Sequence, residues 1–170
     1  MDYQNALSTL AEVAIAITGF AGVVAVFGRR SSGHWSVVEQ ARLVALLGLS
    51  LAALLFCVLP FVVLSIPVSE SSCWRSLSVL LAVALTVFAA QVVRVAIEAL
   101  RVPRSEREVS LLLSAIFLTG DLLAIILLLA NAFSLGVVWP YLAAIIWMLA
   151  RAAMIFVRMV MIPVGRGSAG

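Results

Sequence analysis

Residues 122–150 carry no charged side chain, and the stretch is bracketed by one carboxylate and one guanidinium, Asp121 and Arg151. A hydrocarbon bilayer core is crossed by about 20 apolar residues of helix. Drawn as one long helix, this stretch would strand residues 109–120 and 152–162 as apolar stubs too short to cross. A hairpin turning near Gly136 uses all of it. That reading predicts two crossings here, and the rest of the chain follows the same pattern.

Apolar runs of crossing length are expected at about 8–28, 42–66, 75–98, 109–133 and 139–162. Hydrophobic residues make up 65% of the chain's 170 and charged ones 11%, and the mean hydropathy is +1.23. A soluble domain is typically about half apolar and a quarter charged, so lipid is the expected solvent. Inside hydrocarbon the backbone must bond within its own segment or within a closed barrel. The runs are continuous rather than alternating, which favours helices. The expected fold is therefore all-α, an integral membrane helical bundle of five transmembrane helices spanning 1–170, with four spans as the alternative. Ser-x-x-Glu capping boxes at 36–39 and 105–108 mark two helix starts. Pro67 closes the second run, and Pro60 falls inside it.

Charge placement sets the orientation. All eleven basic residues are arginine. Arg29, Arg30 and Arg42 follow the first run, Arg101, Arg104 and Arg107 follow the third, and Arg158 and Arg166 lie at the end. Positive charge marks the cytoplasmic side, so the N-terminus is expected outside and the C-terminus inside. Tyr3, Trp74, Trp139 and Tyr141 fall at the outer boundary as aromatic anchors, and Trp35 at the inner one. Arginines spread in this way do not form a nucleic-acid patch. The opening residues have no basic region of the kind that starts a cleaved signal peptide.

The candidate site residues are the polar groups in apolar surroundings. A charge at a helix centre costs roughly 2.5–3.5 kcal/mol on insertion scales. Asp121 lies fifteen residues before Gly136 and Arg151 fifteen after it, so a symmetric hairpin brings them to one depth as an intramembrane ion pair. Helical spacing puts Ser110, Ser114, Phe117, Asp121, Ala124, Leu128 and Asn131 on one stripe, and Ala144, Trp147, Arg151, Met154 and Arg158 on another. A polar stripe should face helices rather than lipid. The pair is either a structural device fixing helix packing or part of a proton or ion path.

An inner-leaflet cluster gathers Arg42, Gln91, Arg94, Glu98 and Arg158, read as snorkelling charges with local pairing or as an inner vestibule or headgroup site. In the first run, Ala14, Thr18 and Gly22 step by four, and Glu12, Ala16 and Gly19 share a side. Gly19 and Gly22 are candidates for close helix packing. Glu12 is an outer carboxylate, either hydrated at the interface or ringing an oligomeric pore.

Enzyme chemistry finds little material. His34 is the single histidine, which leaves nothing for a histidine metal site or a Ser-His triad, and no metal or other cofactor is expected. Cys57, in an apolar run, and Cys73, in a loop, make no disulfide framework. "TGD" at 119–121 falls short of the Gly-x-Gly-Asp of intramembrane aspartyl proteases. Leu118 holds the first glycine's place, and the only other aspartate is Asp2.

The run "EVAIAITGFAGVVAVFGRR", followed by "HWS", resembles the opening of a family of small, uncharacterised multi-pass bacterial membrane proteins. The resemblance covers mainly the first forty residues. It implies a bacterial inner membrane and carries no activity, cofactor or site residue. The expected function is a non-enzymatic, oligomeric membrane scaffold or interaction subunit, a homo-oligomer or bound to a membrane partner. The alternative is a small oligomeric channel or proton- or ion-coupled transporter using Asp121 and Arg151.

Overall fold

Five long helices follow from the five apolar runs. The computed structural model describes residues 3–32, 37–65, 67, 69–99 and 104–161. Helix α1 spans Tyr3–Ser32, α2 Val37–Val63, α3 Glu70–Ala99, α4 Arg104–Ala130 and α5 Trp139–Met161, and no strand occurs among the described residues. Within them lie five stretches of 22 to 25 residues that are long and apolar enough to cross a membrane: Tyr3–Val26, Arg42–Val63, Glu70–Arg94, Leu112–Leu135 and Trp139–Val160. At 1.5 Å per residue each covers the roughly 30 Å of a hydrocarbon core. The protein is all-α, and its helices have the dimensions of a multi-pass membrane protein.

The four-span alternative fails at one turn. Helix α4 does not run on into α5 but ends in a π-helical turn, Asn131–Leu135, whose cap Gly136 is left-handed with φ 64° and ψ 37°. The Gly136 N–H donates to the Asn131 carbonyl at 2.9 Å, the five-residue step of a π turn. Only glycine takes this conformation without steric cost. A side chain there would also crowd the first turns of α3, since a Cβ would sit 3.1 Å from Arg75 Nε and 3.2 Å from Ser71 Cβ.

Other boundaries shift for local reasons. Helix α3 starts at Glu70 rather than near residue 75. The Cys73 N–H donates to the Ser69 carbonyl at 3.1 Å, the Ser69 and Ser72 hydroxyls bond at 2.7 Å, and Glu70 places a carboxylate in the first turn, where the helix dipole favours it. The polar "SESS" sequence is thus a helix start rather than a loop. Cys73 consequently lies in α3 and is buried, not exposed. Helix α2 runs through Pro60 without a break, and the Leu64 N–H still reaches the Pro60 carbonyl at 2.8 Å. Helix α4 begins at Arg104, which places Ser105 inside the helix rather than at its cap. Ser36, the other expected cap, lies outside the described residues, as do His34, Trp35, Arg101 and Arg166.

Packing divides the chain into two compact units, Met1–Val58 with Met148–Gly170, and Leu59–Trp147. In the first, α1 buries Leu7, Ala14 and Ala21, residues seven apart and therefore on one line of the helix. Thr18 Oγ1, beside that line, donates to Ser50 Oγ on α2 at 2.9 Å, and Ser50 is itself buried, 2.9 Å from the Leu46 carbonyl. In the second unit, α3 packs along α4 and against the π turn, burying Leu77, Leu81 and Leu85.

Candidate functional site

Helix α4 is arranged inside out relative to a water-soluble helix. Ser114, Asp121 and Asn131 are buried together with Ala124 and Leu128, and Phe117 is half-buried. Opposite them, Leu112 is 66% and Leu123 63% exposed. Water would penalise each such exposed leucine by about 1.5–3 kcal/mol relative to burial, whereas lipid does not. The side chain of Ser110, at the N-terminal end of the stripe, lies outside the described residues.

At mid-helix, Gly120 and Asp121 act together on α5. A Cβ on Gly120 would overlap the six-membered ring of Trp147, so the glycine is the notch that lets the indole lie against the α4 backbone. With the ring seated there, Trp147 Nε1 donates to Asp121 Oδ1 at 2.9 Å. Asp121 is 0% exposed. An indole N–H donates and has no lone pair to accept with, so it orients the carboxylate and cannot relay a proton. The "TGD" sequence, unmatched to a protease motif, is thus half of a packing device. Neither Gly120 nor Trp147 was singled out from sequence as its partner. A glycine directly before an intramembrane acid, with a tryptophan on the next helix, was the signal available. Arg151 lies four residues beyond Trp147, on the same face of α5, and is 3% exposed. Ala144, on that face, is buried, and Met154 and Arg158 are half-buried.

At the hairpin, Asn131 works as a spare peptide group. Its Nδ2 donates to the Val137 carbonyl at 2.8 Å, and its Oδ1 accepts from the Val137 N–H at 2.9 Å. The same Nδ2 donates to Ser78 Oγ on α3 at 2.8 Å. Backbone that leaves the helix within apolar surroundings needs protein partners, because lipid supplies none. Asn131 provides them for the turn and ties it to α3. Nearby, Trp74 and Tyr141 are buried rather than displayed at the boundary, with ring centroids 5.7 Å apart. The Trp74 indole still reaches a polar group, donating to Glu70 Oε1 at 3.2 Å. Trp139 is exposed, as an interfacial anchor requires.

No protein-family model matches the chain. No curated protein and no solved structure matches it either.

The remaining candidate residues separate. Gly19 and Gly22 are exposed, and a Cβ on either would meet nothing within 4 Å. Within the chain, α1 buries Leu7, Ala14 and Ala21, and the two glycines lie on its exposed side. Glu12 is exposed on the same helix. Of the inner cluster, Arg42 and Arg158 are half-buried in one unit, and Gln91 and Arg94 are exposed in the other. The side chain of Glu98 lies outside the described residues.

Proposed function

We propose that this chain is a non-enzymatic subunit of an oligomeric membrane assembly, with its intramembrane polar groups serving structure. The observation that carries this reading is the inward turn of the α4 polar face. Asp121 is engaged by an indole that cannot pass a proton on, and Asn131 is engaged by backbone and by Ser78. Groups lining a path for ions would need an open, hydrated face. The equal spacing of Asp121 and Arg151 about Gly136 in the sequence supports a mutual ion pair. Such a pair offsets two insertion costs and fixes the register of the hairpin.

Oligomerisation draws support from α1. Only 11% of its apolar stretch is buried, against 39% for that of α2. Its exposed side carries Glu12, Ala16 and Gly19, a carboxylate with small residues that allow a second helix close approach. The arginine distribution supports an N-terminus outside and a C-terminus inside, and the resemblance of the first forty residues supports a bacterial inner membrane.

The second reading is a small oligomeric channel or a proton- or ion-coupled transporter using Asp121 and Arg151, favoured by the general link between intramembrane ionisable groups and conduction. Flux through liposomes reconstituted with the full chain separates the two. The scaffold reading expects no movement of protons or common ions above protein-free vesicles. Flux that disappears in Asp121→Asn would overturn it in favour of the channel.

A further inference from the structure

Residues 131–140, which carry the chain from α4 into α5, include no charged side chain. The two crossing stretches leave only residues 136–138 between them. A connection between helices ordinarily runs through water, which bonds the backbone groups that the helix ends leave open. This one takes its partners from protein. The Gly136 N–H donates to the Asn131 carbonyl, and both polar ends of the Asn131 amide bond the Val137 peptide. The Leu142 N–H donates to the Val138 carbonyl at 3.1 Å, and Ser134 Oγ donates to the Ala130 carbonyl at 2.6 Å. Backbone surrounded by lipid has to be provided for in this way.

The outward side chains of the turn agree with its backbone. Phe133 is 81% exposed, and Leu135, Val137 and Trp139 are exposed with it. Leu122, Ile126 and Leu129 precede Phe133 at steps of four and three and are also exposed, so the turn prolongs the apolar outer face of α4. The start of α3 gives the contrast at the same end. A Cβ on Gly136 would lie 3.2 Å from Ser71 Cβ and 3.1 Å from Arg75 Nε, which sets these residues level with the turn. Ser69, Glu70, Ser71 and Ser72 are exposed polar side chains. One connection thus displays hydroxyls and charge, and the other a phenyl ring, an indole and branched aliphatics.

We infer that the α4–α5 turn stays inside the leaflet, beneath the headgroup phosphates, and that the partner of its exposed side is lipid. Acyl chains cover Phe133 and Leu135, and the glycerol-ester zone takes Trp139, whose apolar ring and N–H donor suit that boundary. Continuity with the outer face of α4 names the occupant, and a turn whose bonds come from protein has no need of water. Arg75, over Gly136, has the long stem that lets a guanidinium reach the phosphates above. A soluble partner approaching this end of the unit meets the start of α3 and not the hairpin. The inference rests on the chain lying in a membrane, and it holds for a scaffold and for a channel alike.

The test is spin labelling of the full chain in phosphatidylcholine nanodiscs, with one cysteine introduced at a time by Phe133→Cys, Leu135→Cys, Leu123→Cys or Ser69→Cys. All four positions are exposed, so a label there displaces no packed neighbour. The wild type, whose Cys57 and Cys73 are buried, controls for background labelling. Collisions with oxygen, which concentrates among acyl chains, are compared with collisions with a water-soluble nickel chelate. Oxygen should dominate at 133 and 135 as it does at 123, and the chelate should dominate at 69. Chelate dominance at 133 and 135, with oxygen still dominant at 123, would overturn the inference and leave the membrane reading standing. Chelate dominance at 123 as well would overturn both. Labels at 133 and 135 shielded from both reagents would mean that protein covers the turn, and would overturn lipid as its partner. The wild type gives a check that needs no variant to fold. Chymotrypsin added to the nanodiscs should spare the bonds after Phe133 and Leu135, and cleavage at either would overturn the inference.

Discussion

The fit between Gly120 and Trp147 makes a prediction with a sign. Trp147→Phe removes the indole donor to Asp121, a hydrogen bond to a charged group worth about 1.5–3 kcal/mol, and leaves space where the larger ring met α4. Gly120→Ala puts a methyl group into the Trp147 ring. Overpacking of this kind costs about 1–3 kcal/mol, offset by the roughly 1 kcal/mol that alanine gains over glycine in a helix. With the smaller phenyl ring present, the alanine methyl has somewhere to go. The double variant should therefore lose less than the sum of the two single losses, by at least about 1 kcal/mol, since contacting sites couple by about 0.5–3 kcal/mol. Equilibrium unfolding of purified protein in mixed micelles, followed by far-UV circular dichroism, gives all four corners of the cycle. Additivity within about 0.5 kcal/mol would mean that the ring does not sit on Gly120. A Gly120→Ala variant more stable than the wild type by the roughly 1 kcal/mol of helix propensity would say the same.

Three further outcomes follow from the same contacts. Asn131→Leu deletes three hydrogen bonds at the hairpin, and at about 0.5–1.5 kcal/mol each it should destabilise by about 2–4 kcal/mol in the same unfolding assay, with Ser78→Ala alone costing about a third as much. Ser50→Ala removes one interhelical bond in lipid and should cost only about 0.6 kcal/mol, the average for such bonds, so a loss several times larger would count against the assigned partner. Impermeant reagents applied to intact cells should label a cysteine placed at Ser8 and not one placed at Ser168, with the reverse pattern contradicting the orientation.

The sequence carried the fold in its coarse features and lost it in the fine ones. Continuous apolar runs and the turn residues around Gly136 suffice to place five helices, because length and hydropathy act locally. The stripe through Ser114, Asp121 and Asn131 was legible for the same reason, being a matter of helical period. Which partner each side chain meets depends on how neighbouring helices are rotated, and a single sequence does not encode that visibly. Trp147 as the donor to Asp121 was therefore missed, as was Val137 backbone as the partner of Asn131. Cys73 was misplaced because "SESS" looks like loop composition, although serine and glutamate are also what a helix start requires. Gly19 and Gly22 are legible as sites of close packing, within the bundle or between subunits, but small residues mark only a surface that permits close approach, and not which helix comes near.

A structural role for the intramembrane polar groups requires the α4 polar face to be packed against protein rather than lining a water path. Replacing Cys57 and Cys73 and introducing Ser114→Cys puts one thiol on that face, and a small water-soluble maleimide applied to sealed and to opened membranes reads its exposure. The thiol should stay unlabelled from both sides and react only after denaturation. Labelling in native membranes from either side would contradict a packed face and return Asp121 to a conducting path.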